Sequence, residues 1–310
     1  MKQIIKPPAL KRGDLVAVVA PSSNIKPNHL ARGIAELERL GFRAQYEPEI
    51  LTRDRYTAGS DERRAGELMR AFENPDVKAV WCARGGYGAM RIFELIDDDV
   101  LTNNPKIFIG YSDITALHLY FYKRFGWVTF HGPMVAKELQ GGIGHYDEMS
   151  LRHAISADVS KWMITSPQLR VLHGGSVVSG MLLGGCLTLI NSLIGTPYDL
   201  DTTDSILFLE DTNVRPFAID RMLTQLRLAG KFEKVRAIIF GEMTDCIQNV
   251  EQGYALDDVL SLCTRDLGIP VATGLKSGHS SIGNLTLPLG VQASFDPSFP
   301  VLTLNESAVV

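Results

Sequence analysis

The run Ile107-Phe108-Ile109-Gly110-Tyr111-Ser112-Asp113-Ile114-Thr115 sets a serine two positions past a glycine that closes an apolar stretch, and an amphipathic segment begins at once. A strand turning sharply into a helix at a serine is the layout of a nucleophile elbow. Such a turn lifts the hydroxyl above the carboxyl ends of the strands. The helix N-terminus sets free N–H groups and a partial positive charge beneath it, which is what a developing oxyanion requires. Ile114 stands where G-x-S-x-G has its second glycine, and a serine here can equally cap the helix. A second turn, Ala83-Arg84-Gly85-Gly86-Tyr87-Gly88, also joins a strand to a helix. It fits neither the dinucleotide nor the P-loop pattern, so it reads as a structural turn or as backbone donors on the rim that holds Ser112.

A hydroxyl is a poor nucleophile at neutral pH, so hydrolysis at Ser112 needs an imidazole to take its proton and a carboxylate to fix the tautomer. His118 falls on the packing face of the elbow helix and reads as a core histidine. His131 precedes Gly132-Pro133 and suits a structural or substrate-lining role. His279 lies in the loop Ser277-Gly278-His279-Ser280-Ser281, where a ring can turn toward a neighbour, and ranks slightly above the others. Glu210 closes the apolar run 206–209, with Asp211 beside it as a competitor; Asp220, near Arg215 and Arg221, reads as a solvated charge.

The frame that must hold these residues is a chain of 310 residues, 45% hydrophobic and 21% charged, enough for a sizeable core. A net charge of −4 offers no basic footprint for nucleic acid. No apolar run suits a membrane span, and the polar first fourteen residues lack a signal-peptide core, so a cytoplasmic protein is expected. Cys82, Cys186, Cys246 and Cys263 are scattered and read as buried thiols; no HExxH or histidine ligand spacing occurs, so neither metal nor cofactor is expected.

Strand and helix patterns alternate through the first half: a strand over 15–20, a helix with Leu30, Ile34 and Leu37 ending at Gly41, and a helix capped by Ser60. Strands over 77–83 and 107–110 follow, which implies a parallel sheet covered on both faces. Glycines 141, 142 and 144 and the polar stretch 156–168 predict an inter-domain connection. Beyond it come strands over 205–209 and 235–240, a helix from Pro216 to Gly230, and a proline-punctuated end that reads as hairpins. The expected domains are therefore 1–140, carrying Ser112, a linker over 141–170, and 171–310, carrying Glu210 and His279.

Several short strings together resemble the LD-carboxypeptidase family of serine peptidases, which includes the microcin C7 self-immunity proteins. They are Ala20-Pro21-Ser22, Tyr56-Thr57-Ala58-Gly59, Arg84-Gly85-Gly86-Tyr87-Gly88, Gly110-Tyr111-Ser112-Asp113 and His131-Gly132-Pro133. Gly184-Gly185-Cys186-Leu187, Ile194-Gly195-Thr196-Pro197, Leu209-Glu210-Asp211 and Gly278-His279 follow in the family's order. The resemblance implies an α/β protein with an N-terminal flavodoxin- or glutamine-amidotransferase-like parallel-sheet domain and a smaller, strand-rich mixed α/β C-terminal domain. It implies Ser112 as nucleophile, His279 as base, Glu210 as its orienting acid, and the N–H groups of Gly86 and Asp113 as oxyanion hole. The implied substrate is a murein tetrapeptide that loses its terminal D-alanine, and the implied assembly is a homodimer. Arg84 is the candidate for the substrate's terminal carboxylate, its bland reading being a surface ion pair.

Two alternatives are kept. Cleavage of aminoacyl-adenylate peptides needs an aromatic platform for adenine, for which only Trp162 falls between Ser112 and Glu210, with little room for a long extra loop. A non-catalytic module binding a small ligand at the glycine-rich rim would use Ser112 merely as a cap.

Overall fold

The computed structural model describes residues 3–248, 250–280 and 282–310; Ser281 of the His279 loop and Met1 and Lys2 of the polar start lie outside them. Two compact units form. The first comprises Met1–Val159, Ser281–Gly290 and Ser307–Val310, the second Ser160–Ser280 and Val291–Glu306.

The first unit alternates β1 (Leu15–Val19), α1 (Pro27–Leu40), β2 (Arg43–Gln45), α2 (Asp61–Glu73), β3 (Val77–Cys82), α3 (Asp98–Asn103), β4 (Ile107–Gly110), α4 (Thr115–Phe125) and β5 (Thr129–His131), followed by α5 (Glu148–Ile155). The five strands pair in parallel in the order β5-β4-β3-β1-β2. β4 and β5 are buried along their whole length, as strands covered on both faces must be, whereas β2 at the sheet edge is not. Helix ends follow the local chemistry. Gly41 takes φ 102° after α1, and the Ser60 side chain accepts from Arg63 N at the start of α2. Phe72, Phe108, Phe121 and Trp127 interlock at centroid distances of 4.9 to 6.3 Å and anchor α2 and α4 to the sheet. Each such ring stabilises the unit by roughly 1.5–3 kcal/mol relative to leaving it exposed. Strand order reverses at β1 and β3, so the loops after these strands bound the crevice where open α/β sheets take ligands.

The second unit contains β6 (Trp162–Ile164), β7 (Arg170–His173), β8 (Val178–Cys186), α6 (Leu187–Ser192), β9 (Ser205–Thr212), α7 (Pro216–Leu228), β10 (Ala237–Thr244), α8 (Leu256–Thr264) and β11 (Val271–Thr273). After β12 (Leu287–Leu289), β13 (Val291–Asp296) and β14 (Val301–Leu304) complete its sheet, in the order β6-β14-β13-β8-β9-β10-β11-β7. β8 to β11 pair in parallel and their flanks antiparallel, so the sheet is mixed.

The stretch 141–170, expected to connect the domains, contains the boundary between the units at Val159 and Ser160; it also holds α5, with Asp147 accepting from Ser150 N and Leu151, Ala154 and Ile155 buried, and β6. One expectation changes. The end of the chain is not a simple series of hairpins, because β12 pairs antiparallel with β5 and so belongs to the first unit, while β13 and β14 form a hairpin in the second.

In the second unit β8 runs so close to β9 that a Cβ at Gly184, which has φ 135°, would overlap the backbone of Phe208. Gly184→Ala is expected to destabilise the chain by at least about 2 kcal/mol, read from the urea midpoint. An unchanged midpoint would contradict this strand spacing.

Candidate active site

Ser112 opens a short 3-10 turn, Ser112–Ile114, that runs directly into α4. Its φ is 66°, a left-handed conformation that costs a residue bearing a Cβ roughly 1–2 kcal/mol. That strain is the backbone signature of a serine raised on a tight strand-to-helix turn. The loop after β3 lies against it. A Cβ at Gly85 would stand 2.8 Å from Ser112 Cβ and 3.1 Å from Ser112 Oγ, so only glycine fits. Gly86 follows at φ 107°, where a Cβ would strike the Ser23 side chain, and Tyr87 N donates to Ser23 Oγ (3.1 Å). The N–H groups of Gly86 and Asp113 therefore belong to two turns held side by side at the carboxyl ends of β3 and β4.

A buried carboxylate anchors the chain on each side of Ser112. Tyr111 Oη donates to Glu138 Oε1 (2.6 Å), and Met134 N donates to Glu138 Oε2 (3.1 Å). Burial outweighs these bonds and pushes Glu138 up to about 7. Asp113 Oδ2 accepts from Ser22 Oγ (2.6 Å) and Ala89 N (2.8 Å), and burial raises its pKa as well. Arg84 is exposed and donates to Asn24 O (3.0 Å), which joins the loops after β3 and β1.

The second unit brings Glu210 and His279 together. Glu210 sits on β9, opposite Cys186 of β8, with its side chain fully buried; His279 Nδ1 donates to Glu210 Oε2 (2.7 Å). A ring whose Nδ1 hydrogen is held this way presents Nε2 as an acceptor, the state a general base requires. The His279 loop is fastened to β10, with Thr244 Oγ1 donating to His279 O (2.8 Å) and Glu242 N to Ser277 O (3.0 Å). Its approach depends on Gly278, φ 119°, where a Cβ would come within 2.5 Å of Glu210 Oε2.

The competing residues are otherwise engaged. Asp211 accepts from Thr188 N (2.9 Å), Thr188 Oγ1 (2.7 Å) and Thr212 N (2.8 Å). His118 is buried with Nε2 against Gly110 O (2.8 Å), and burial drops it to about 3, so it is a neutral core residue. His131 is buried beside the Tyr111 ring (5.4 Å), and Asp220 accepts from Thr224 on α7. Among the described residues no cluster of three or more histidines, cysteines and acids could hold a metal, and no helix is long and apolar enough to cross a membrane. Sequence reasoning missed the parts played by Ser22, Glu138 and Thr244. Ser22 stands in a quoted string, but nothing in the spacing links it to Asp113, 91 residues on.

The LD-carboxypeptidase N-terminal domain matches residues 16–132 and its C-terminal domain residues 179–295. The chain belongs to the LD-carboxypeptidase family. A probable murein peptide carboxypeptidase of Bacillus subtilis is 36% identical over 312 residues, covering 98% of this chain and 94% of that protein. The murein tetrapeptide carboxypeptidase of Pseudomonas aeruginosa is 33% identical, covering 90% and 92%. Among solved structures, the wild-type ligand-free microcin C7 self-immunity protein MccF superposes with a TM-score of 0.92 at 25% identity, covering 99% and 100%. This member of the LD-carboxypeptidase family is a serine-type carboxypeptidase, and its two-sheet α/β fold is the fold of MccF.

Two outcomes follow. Gly278→Ala forces Glu210 or the His279 loop to shift, so kcat is expected to fall about 10²-fold; wild-type kcat would contradict the importance of the pair's spacing. Glu138, and Glu67 likewise through burial, titrate near 7 in the folded chain against an ordinary 4.5. The folded state thus binds more protons between these values, and stability falls as pH rises from about 4.5 through 7. Glu138→Gln is expected to flatten the decline of Tm between pH 5 and 8; an unaltered slope would remove Glu138 as a source.

Proposed function

We propose that this LD-carboxypeptidase releases the terminal D-alanine of murein tetrapeptides in cytoplasmic peptidoglycan recycling, with Ser112, His279 and Glu210 as its triad. The observation that carries the reading is the 2.7 Å contact between His279 Nδ1 and Glu210 Oε2, since it fixes the imidazole in the tautomer that can accept a proton. The left-handed turn at Ser112 and the murein peptidases among the relatives support it.

In this mechanism His279 Nε2 takes the Ser112 proton as Oγ attacks the carbonyl carbon that precedes D-alanine. Negative charge gathers on the carbonyl oxygen, which the N–H groups of Gly86 and Asp113 receive. The C–N bond breaks and His279 passes the proton to the departing amine. Water, deprotonated by His279, then attacks the acyl carbon; the bond to Ser112 Oγ breaks, His279 returns the proton to Oγ, and the tripeptide leaves as its carboxylate. Arg84 binds the carboxylate of the substrate's terminal alanine. Its exposed guanidinium retains donors beyond the one given to Asn24 O, and two parallel N–H groups match a carboxylate.

A second reading, hydrolysis of aminoacyl-adenylate peptides, has the likeness to MccF behind it. Against it, Trp162 is a strand residue of β6 opposite Leu304 rather than part of an extra loop.

Purified chain incubated with UDP-N-acetylmuramoyl tetrapeptide is expected to remove one alanine, followed by mass spectrometry, with EDTA making no difference. Ser112→Ala or His279→Ala should lower kcat about 10⁶-fold and Glu210→Gln less, about 10⁴-fold. Turnover of an aminoacyl-adenylate peptide with intact tetrapeptide would favour the second reading, and ligand binding without turnover on either would favour a non-catalytic module. Arg84→Ala is expected to raise KM at least about tenfold; unchanged kinetics would remove Arg84 from the substrate's path.

A further inference from the structure

The carboxyl ends of β1, β3 and β4 are tied together by buried charges that the proton transfers do not use. Arg64, on α2, is wholly buried. Its Nη1 donates to Pro21 O, in the loop after β1, and to Gly88 O (2.8 Å), in the loop after β3, while Nη2 pairs with Asp61. Asp61 also holds Arg91 (2.7 Å), just past the second loop. Asp113 is only 2% exposed. One of its carboxylate oxygens takes both Ser22 Oγ, again from the loop after β1, and Ala89 N, again from the loop after β3. Arg64 and Asp113 thus grip the same two loops, Arg64 through their carbonyls and Asp113 through a hydroxyl and an N–H.

Buried charges are costly unless they are fully hydrogen-bonded, and apolar side chains of similar size commonly support a fold as well. What an apolar residue cannot do is fix the orientation of a strained turn. Asp113 follows Ser112 directly, so whatever holds the Asp113 side chain limits rotation of the peptide that carries Ser112 at φ 66°. The same peptide carries the Asp113 N–H. The Ala89 contact ties it to the loop that supplies Gly86, three residues earlier.

We propose that the Asp113 side chain, with Ser22 as its direct partner, is a positioning element that keeps Ser112 in its left-handed conformation and sets the Gly86 and Asp113 N–H groups in register. This assigns Asp113 a side-chain task separate from its backbone N–H, and it rests on the serine-peptidase reading above. Asn can present one oxygen to both donors; Ala cannot. Loss of Ser22 Oγ removes one of the two anchors and leaves the carboxylate on Ala89.

The test uses the full chain and two readouts. The first is the rate at which a fluorophosphonate phosphorylates Ser112, in which Oγ displaces fluoride from phosphorus and gives up its proton, followed by intact-protein mass. The second is kcat and KM on the tetrapeptide. Asp113→Ala is expected to slow labelling and kcat by about 10²-fold with KM within about threefold, because the nucleophile is displaced while substrate contacts remain. Asp113→Asn should recover to within about tenfold of wild type, and Ser22→Ala should lose about three- to tenfold. Near-ultraviolet circular dichroism checks folding, and if Asp113→Ala does not fold, Ser22→Ala and Asp113→Asn carry the test.

Labelling and kcat unchanged in folded Asp113→Ala, or unchanged in Ser22→Ala where only the milder variants fold, would overturn the positioning role. So would a loss confined to KM. In each of these cases a wild-type chain that still labels leaves the serine mechanism standing. A wild-type Ser112 that does not label overturns the serine mechanism and the positioning role with it.

Discussion

A side chain bearing a Cβ is held at φ 66° at the end of a fully buried strand, and much of the first unit is arranged around keeping it there. The left-handed turn at Ser112 is unfavourable by itself, so its neighbours must over-determine it. Tyr111 is fixed through Glu138 and Asp113 through Ser22 and Ala89, one buried carboxylate on each side of the serine. Gly85 leaves the space a Cβ would fill to the Ser112 side chain. A typical hydrogen bond contributes about 0.5–1.5 kcal/mol net, so several such contacts together are of the same order as the strain.

The second unit solves a different problem with related means. Glu210 carries its carboxylate into the interior, where a charge is tolerated only with close partners, and His279 supplies one. Glycine again permits the approach, at Gly278 against the carboxylate and at Gly241 against Ser277 O and the Phe208 ring. Threonine and backbone groups of β10 then stop the histidine loop from drifting. Both constellations sit at the carboxyl ends of parallel strands, where an open α/β sheet leaves backbone donors and turns available for chemistry.

Much of this was legible in the sequence, for reasons that mark its limits. Parallel strands buried on both faces read as short apolar runs, so β1, β3, β4 and β9 stand out, and a serine just past such a run announces the elbow. The boundary at Val159 and Ser160 falls within the stretch read as a connection, yet α5 was hidden there among glycines, and three-residue β6 has too few positions to show a period. The partnership of β12 with β5 was unreadable because it joins positions more than 150 residues apart. Spacing alone left Glu210 and Asp211 equivalent; only the three donors around Asp211 and the ring against Glu210 distinguish them. The residues that hold Ser112 from the side were invisible for the same reason, since buried polar contacts between distant loops leave no periodic trace.

Acyl transfer through Ser112 leaves a covalent intermediate that a rapid-quench experiment can trap. Wild-type chain is mixed with murein tetrapeptide, quenched in acid at short intervals, digested and mapped by mass spectrometry. A transient adduct, equal to the tetrapeptide acyl group without its alanine, is expected on the peptide that contains Ser112. Alanine release with no adduct at any interval, or an adduct confined to another residue, would contradict acyl transfer through Ser112.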